Sequence, residues 1–169
     1  MSVVMISGPV GAGKSTVARE LVEITPAPLC YIEGDDFWSL FAKPDTKPRK
    51  ERFRILMRSV TAAAVPLARS GYVVLLDFSF PLDFLETARK ILREIPLDFV
   101  MLRPSLATCE QRAAARSEGK IADYNPYRDF YATFEGLPKH EISDDDADAG
   151  SIARRIRSGL DQGIFRLDA

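Results

Sequence analysis

Nine residues near the N-terminus have the types and the spacing to hold a polyphosphate. Gly8-Pro9-Val10-Gly11-Ala12-Gly13-Lys14-Ser15 fits the pattern GxxxxGK[ST] at every fixed position, and Thr16 follows it. The glycines let the chain turn with positive φ and bring the backbone N–H groups of Gly8, Gly11, Ala12 and Gly13 close to phosphate oxygens. A helix opening behind them adds the positive end of its dipole. Lys14 is then a mobile point charge for β- and γ-phosphates, the Ser15 hydroxyl a ligand for Mg²⁺, and Thr16 a contact on the α-phosphate side. The pattern follows the short apolar run Val3 to Ile6 and precedes a stretch of helical period, the setting in which it is specific. By itself it does not separate a kinase from a GTPase or a mechanical ATPase.

Three further groups can act on a phosphate held there. Glu33-Gly34-Asp35-Asp36 follows a second apolar run, Leu29 to Ile32. An acceptor hydroxyl must be aligned with the phosphoryl group and lose its proton, and a carboxylate within hydrogen-bond reach does both. Asp35 is the candidate base, with Asp36 or Glu33 helping to hold Mg²⁺ or substrate; the alternative is that the adjacent Asp residues cap a helix beginning near Phe37. Asp77 closes a third apolar run, where it can hold the water shell of Mg²⁺ or, alternatively, start a turn. Ser15, Asp35 and Asp77 are thus the candidate metal contacts. Arg112 and Arg116 stand four residues apart, so on a helix both project from one face and fork onto phosphate oxygens, Arg112 serving nucleotide binding as well as catalysis. The segment after them, Ser117 to Asp123, has the glycine and polar content of a lid, about 112–126, that closes over the nucleotide and keeps out water.

Short β-rich apolar runs alternate with longer stretches of helical period, the pattern of a parallel sheet with crossover helices on its faces. The runs predict strands at Val3 to Ser7, Leu29 to Ile32, Tyr72 to Asp77, Asp98 to Leu102 and, weakly, His140 to Ser143. Helices are predicted over Lys14 to Glu23, Arg49 to Ser70, Leu82 to Glu94, Leu106 to Ser117 with Ser105 as N-cap, and Asp148 to Leu160. Pro66 should kink or shorten the second, and Gly71 should stop it. Continuous apolar runs such as Val73 to Leu76 suit strands buried on both faces, so functional residues should lie beyond the strands' C-terminal ends. The glycine loop, the acidic tetrad and Asp77 all do.

Composition sets the outer bounds. A chain of 169 residues with 46% hydrophobic content fits a single domain, 1–169, with a core of ordinary size. Its 23 basic and 24 acidic residues nearly cancel, which gives no reason to expect nucleic acid or a membrane surface as partner. Cys30 and Cys109 stand far apart and His140 is the sole histidine, so neither a disulfide framework nor a closed His/Cys zinc site is suggested. Val3 to Ile6 is too short for a signal-peptide core and no apolar run approaches a membrane span, so the expected compartment is the cytoplasm. Asp144 to Asp148 is expected to be a solvated loop.

Taken together, these residues resemble the small P-loop kinases of the nucleoside-monophosphate-kinase-like fold, a group that includes shikimate kinase, gluconate kinase, adenylylsulfate kinase, chloramphenicol phosphotransferase and the polynucleotide 5′-kinase domain. Gly8 to Ser15 matches their Walker A motif, and Glu33-Gly34-Asp35-Asp36 is similar to their Asp-Gly-Asp or Arg-Asp-Asp elements, with Asp35 on the carboxylate implied to act on the acceptor hydroxyl. Cys109 to Phe134 is similar to their lid and post-lid helix. The resemblance implies an α/β three-layer sandwich, a five-stranded parallel sheet of order 2-3-1-4-5 with helices on both faces and a small lid, and ATP with Mg²⁺ as donor. Trp38 stands where a polynucleotide kinase carries a phosphate-gripping Arg, and Asp77 is followed by Phe78-Ser79-Phe80-Pro81 rather than by the shikimate-binding pattern. Phe37, Trp38, Phe41, Phe78 and Phe80 suggest a partly aromatic acceptor pocket, although core packing accounts for most of them as well. Arg49, Arg52, Arg54 and Arg58 can greet an anionic acceptor or form a solvated helix face. The leading expectation is an ATP-dependent phosphotransferase acting on a small-molecule hydroxyl, monomeric or homodimeric. The alternatives are a polynucleotide or nucleoside 5′-hydroxyl kinase, and a nucleotide-dependent binding or toxin-like module.

Overall fold

A computed structural model describes residues 2–43, 46–117 and 119–167. Five parallel strands, β1 (Ser2–Ser7), β2 (Leu29–Glu33), β3 (Val73–Asp77), β4 (Leu97–Leu102) and β5 (Glu141–Ile142), form one sheet in the order β2-β3-β1-β4-β5. Around it lie α1 (Lys14–Ile24), α2 (Arg49–Arg69), α3 (Leu85–Leu92), α4 (Leu106–Ala114), α5 (Asn125–Ala132) and α6 (Ala149–Asp161). This is the expected α/β P-loop architecture with the expected strand order.

Alternation along the central strands builds both cores. Val3, Met5, Val74, Leu76, Phe99 and Met101 face α2 and α3, meeting Leu56, Met57, Val60, Ala64, Ala88 and Leu92. Their neighbours Val4, Ile6, Leu75, Val100 and Leu102 face α1 and α6, meeting Val17, Ala18, Leu21, Ile152, Ala153 and Ile156. Side chains in a strand alternate between faces, so two buried faces demand an unbroken apolar run, which is what the central strands carry.

Several boundaries differ from the sequence reading. Helix α2 runs through Pro66 to Arg69 rather than ending early. It stops at Gly71, whose φ of 99° allows a Schellman turn in which the N–H groups of Gly71 and Tyr72 donate to the carbonyls of Ala68 and Leu67. A 3-10 turn, Leu82–Phe84, precedes the shorter α3, which ends where Arg93 turns to a φ of 55°. Helix α4 ends at Ala114 and not Ser117, because the Ala113 carbonyl accepts from Ile121 N–H as the chain folds back. Strand β5 has only two residues; His140 belongs to a 3-10 turn before it, with ring Nδ1 2.9 Å from the Phe99 carbonyl. Asp145, Asp146 and Asp148 of the acidic run are exposed, yet the run is organised: Asp144 accepts from the Ala147 N–H and pairs with Arg155, Asp145 accepts from the Ser105 N–H, and Asp148 caps α6 through the Ser151 N–H. These bonds hold all three carboxylates below their ordinary pKa, the backbone N–H groups of Ala147 and Ser105 acting first on Asp144 and Asp145, and the Ser151 side chain on Asp148.

The C-terminal ends of β1 and β3 are locked by one side chain. The buried Ser7 hydroxyl donates to the Phe80 carbonyl at 2.7 Å and accepts from the Phe80 N–H at 2.8 Å. The substitution Ser7→Ala leaves the Phe80 carbonyl without its donor, while the Phe80 N–H keeps only its 3.0 Å bond to the Phe78 carbonyl, and should lower stability by about 1–3 kcal/mol. A urea-unfolding midpoint unchanged from the parent would show that the lock contributes nothing.

Candidate active site

The glycine loop occupies the crevice beyond β1, pressed against the ends of β4 and α4. Gly8 has a φ of 143°, and a Cβ there would fall 2.1 Å from the Leu102 carbonyl oxygen. Gly11 has a φ of 83°, with a Cβ placed 2.2 Å from the Cys109 carbonyl oxygen. Neither position has room for a side chain, so the loop path depends on glycine twice over. Ala12 is buried behind it, Gly13 in the left-handed region is the N-cap of α1, and Thr16 is exposed on the first turn. Helix α1 starts without a side-chain cap, which leaves its N-terminal dipole and donors for a ligand.

Lys14 Nζ donates to the Pro9 carbonyl at 3.1 Å, folded back over the loop. Burial holds its pKa below the ordinary lysine value, and the charges acting on it are Asp77, Asp35 and Arg116, so four of the expected site residues converge here. Sheet register explains the convergence: Asp77 lies opposite Ile6 of β1 and Glu33 of β2, which sets three strand ends side by side. Asp77 is buried, and burial raises its pKa above the usual carboxylate range against the opposing pull of Lys14 and a hydrogen bond to Ser15. Ser15 and Asp77 offer a hydroxyl and a carboxylate already in contact, hard oxygen donors that fit Mg²⁺. Among the described residues no group of three or more His, Cys, Asp or Glu converges, so an ion held here would complete its shell with phosphate oxygens and water, as Mg²⁺ commonly does.

Asp35 and Asp36 are exposed on a 3-10 turn, Gly34–Leu40, that begins directly after β2. This removes the alternative in which the Asp pair caps a helix beginning near Phe37: the turn starts before the two Asp residues, its N-cap is Glu33, and no side chain caps it. Glu33 is tied to Arg19 by an ion pair at 3.0 Å. The aromatic group divides. Phe78 and Phe80 are core residues, whereas Phe37, Trp38 and Phe41 sit half-buried around the rim.

Arg112 and Arg116 do not share a helical face, because α4 ends between them. Both still reach the loop: Arg112 Nη2 donates to the Asp145 carbonyl at 3.1 Å and its Nη1 would lie 3.9 Å from a Cβ on Gly13, while the Arg116 charge acts on Lys14. Of the expected lid, Glu118 lies outside the described residues. Its far end is anchored by Tyr124, whose hydroxyl donates to the Val10 carbonyl at 2.6 Å.

Sequence reading missed Tyr124 and Tyr31. The Tyr31 hydroxyl lies 3.2 Å from Asp77 Oδ2 and 3.4 Å from Glu33 Oε2, and burial followed by these two carboxylates raises its pKa far above the ordinary phenol value. The spacing of Tyr31 and Glu33, two residues apart on one strand face, was the available signal. Nothing local ties Tyr124 to a carbonyl 114 residues away.

Phosphate loop, sheet order and strand-end carboxylates define the protein as a P-loop α/β protein with the fold of small kinases. The chain belongs to the AAA domain family, whose model matches residues 3–128. No curated protein sequence matches the chain. Among solved structures it is similar to a sugar kinase from Janibacter sp. HTCC2649, with 23% identity over 95% of both chains and a TM-score of 0.70. It is similar as well to the Mycobacterium tuberculosis APS kinase CysC in complex with AMPPNP and APS, at 23% identity over 95% of this chain and 97% of that one, TM-score 0.70. A third likeness is to the Deinococcus radiodurans tunicamycin resistance protein, at 16% identity over 99% of both chains, TM-score 0.73. At these identities the likeness is one of fold. No helix among the described residues is long and apolar enough to cross a membrane.

The buried thiol behind the loop gives a pH test. Burial pushes Cys109 up to about 11, so it stays protonated and unreactive at pH 8. A thiol reagent at that pH should modify the half-buried Cys30 first and reach Cys109 only after denaturant is added. Rapid labelling of both in the native protein would contradict this packing.

Proposed function

We propose that the protein is an ATP-dependent phosphotransferase that moves the γ-phosphoryl group of Mg-ATP to a hydroxyl of a small-molecule acceptor. One observation carries this reading: Lys14 is folded over the glycine loop within the fields of both Asp77 and Asp35, so the grip on the donor phosphates and a carboxylate for the acceptor share one site. In this reading the N–H groups of Gly8, Gly11 and Gly13, the α1 N-terminus and Thr16 hold the phosphate chain, with Ala12 behind them. Lys14 spans the β- and γ-oxygens, and Arg112 and Arg116 offset charge on the transferred group. Asp35 orients the acceptor hydroxyl and takes its proton as the oxygen forms its bond to phosphorus and the bond to the β-phosphate oxygen breaks. Ser15 and Asp77 would hold Mg²⁺, which would neutralise charge on the phosphate oxygens. Tyr124 keeps the covering segment against the loop, and exclusion of water favours transfer over hydrolysis.

Labelled ATP offered to a panel of hydroxyl compounds and to 5′-hydroxyl oligonucleotides tests the reading. Transfer confined to the oligonucleotides would overturn the small-molecule acceptor, and nucleotide binding with no transfer to either would overturn the kinase. Lys14→Met should lower turnover roughly a hundred- to a thousand-fold by removing charge that stabilises the transferred group. Asp35→Asn should lower it by about two to four orders of magnitude, the usual contribution of a general base, while ATP still raises the melting temperature as in the parent. Undiminished transfer by Asp35→Asn would remove Asp35 from the base role.

A further inference from the structure

The first two turns of α1 and the ends of β2 and β3 are joined by a closed circuit of side chains. Ser15, on the first turn of α1, is hydrogen-bonded to Asp77 at the end of β3. Asp77 Oδ2 lies 3.2 Å from the Tyr31 hydroxyl, which lies 3.4 Å from Glu33 Oε2. Glu33 Oε2 in turn accepts from Arg19 Nη2 at 3.0 Å. Arg19 stands four residues after Ser15, one turn further along the same face of α1, and so closes the circuit.

Tyr31 is placed to serve one acid of that circuit rather than both. Its ring is half-buried, packed against the cluster that holds Leu21 and Leu75. In the sheet register Tyr31 stands opposite Leu75 and Glu33 opposite Asp77, so the ring reaches diagonally to the strand end. A phenol has a single proton to donate, and an ionised carboxylate can only accept. Arg19 already supplies Glu33, and Asp77 is the nearer of the two acids to the phenol, so the proton goes to Asp77. The torsion that turns an aspartate's carboxylate is a broad one, and its oxygens point where the surrounding donors hold them. Ser15 gives Asp77 one such contact and Tyr31, from the neighbouring strand, a second.

We propose that Tyr31 is a positioning residue for the metal contact at the loop: its hydroxyl holds Asp77 Oδ2 and thereby keeps the carboxylate beside Ser15, so that both oxygen donors are in place before the nucleotide and its ion arrive. The proposal rests on the reading in which Ser15 and Asp77 hold Mg²⁺, and adds a residue that touches neither the ion nor a phosphate. Outer hydrogen bonds of this kind to a metal-binding group commonly contribute a factor of about ten or more in affinity for the ion. Tyr31→Phe is the matched change. It keeps the ring and its packing and takes away only the donor.

A binding experiment tests this without any transfer step. A non-hydrolysable ATP analogue is titrated by calorimetry, once with Mg²⁺ and once with EDTA in its place, against the parent, Tyr31→Phe, Asp77→Asn and the double variant, folding of each being checked by circular dichroism. The expected result is that the gain in affinity brought by Mg²⁺ falls about 10-fold in Tyr31→Phe, while its affinity in EDTA stays at the parent's. In the double variant the gain should equal that of Asp77→Asn alone, because Tyr31 acts through Asp77. An undiminished gain in Tyr31→Phe, an equal loss with and without Mg²⁺, or losses that add in full in the double variant overturns the assignment. A parent whose affinity is indifferent to Mg²⁺ overturns it too, together with the metal roles of Ser15 and Asp77. A chain that shows the expected Mg²⁺ pattern yet transfers phosphate to no acceptor supports the role of Tyr31 and counts against the kinase alone.

Discussion

Everything at the mouth of the sheet depends on how closely the glycine loop lies against the chain behind it. The Leu102 and Cys109 carbonyl oxygens occupy the space that Cβ atoms on Gly8 and Gly11 would need. That contact fixes the loop between β1 and α1, and so fixes where α1 begins and where Lys14 leaves it. A cradle made of backbone donors can bind an anion only if it is already shaped, because ordering a glycine-rich segment on binding carries a large entropic cost. Here the shaping is done by β4 and α4, elements remote in sequence.

The second layer of organisation is electrostatic. Burial lowers the pKa of Lys14 and raises that of Asp77, and the charge of each opposes the shift in the other. Tyr31 and Ser15 orient the Asp77 carboxylate, and Arg19 pairs with the neighbouring Glu33. Charges in such a setting act over short distances with little screening, so the position of a donor matters more than the number of charges nearby.

Much of this was legible in the residues. The loop and the strand-end placement of Asp35 and Asp77 follow from periodicity and one specific motif, because parallel sheets put polar residues where apolar runs end, whereas the strand order followed from the family resemblance. What escaped had physical reasons. Helix α5 has only eight residues and fully buries none of them, so Tyr127, Phe130 and Tyr131, which lean on the cores from one face, make too short a stripe to mark it. The early end of α4 is decided by a carbonyl captured eight residues later, and the role of the acidic run by N–H groups in α4 and α6. Tyr31 was readable in principle, since it shares a strand face with Glu33. Tyr124 was not, since its partner is set by tertiary packing alone.

The hydrogen bond from Tyr124 has a meaning beyond anchoring. The Val10 carbonyl accepts from Tyr124, and the Pro9 carbonyl accepts from both the Ala12 N–H and Lys14. Both of the loop's leading carbonyls are thereby occupied by protein donors. Two of the loop's carbonyls are thus spoken for within the fold, which leaves the remaining glycine N–H groups to face a ligand. A backbone that carries both donors and acceptors is in this way biased toward anions, and Lys14, Arg112 and Arg116 add to that bias.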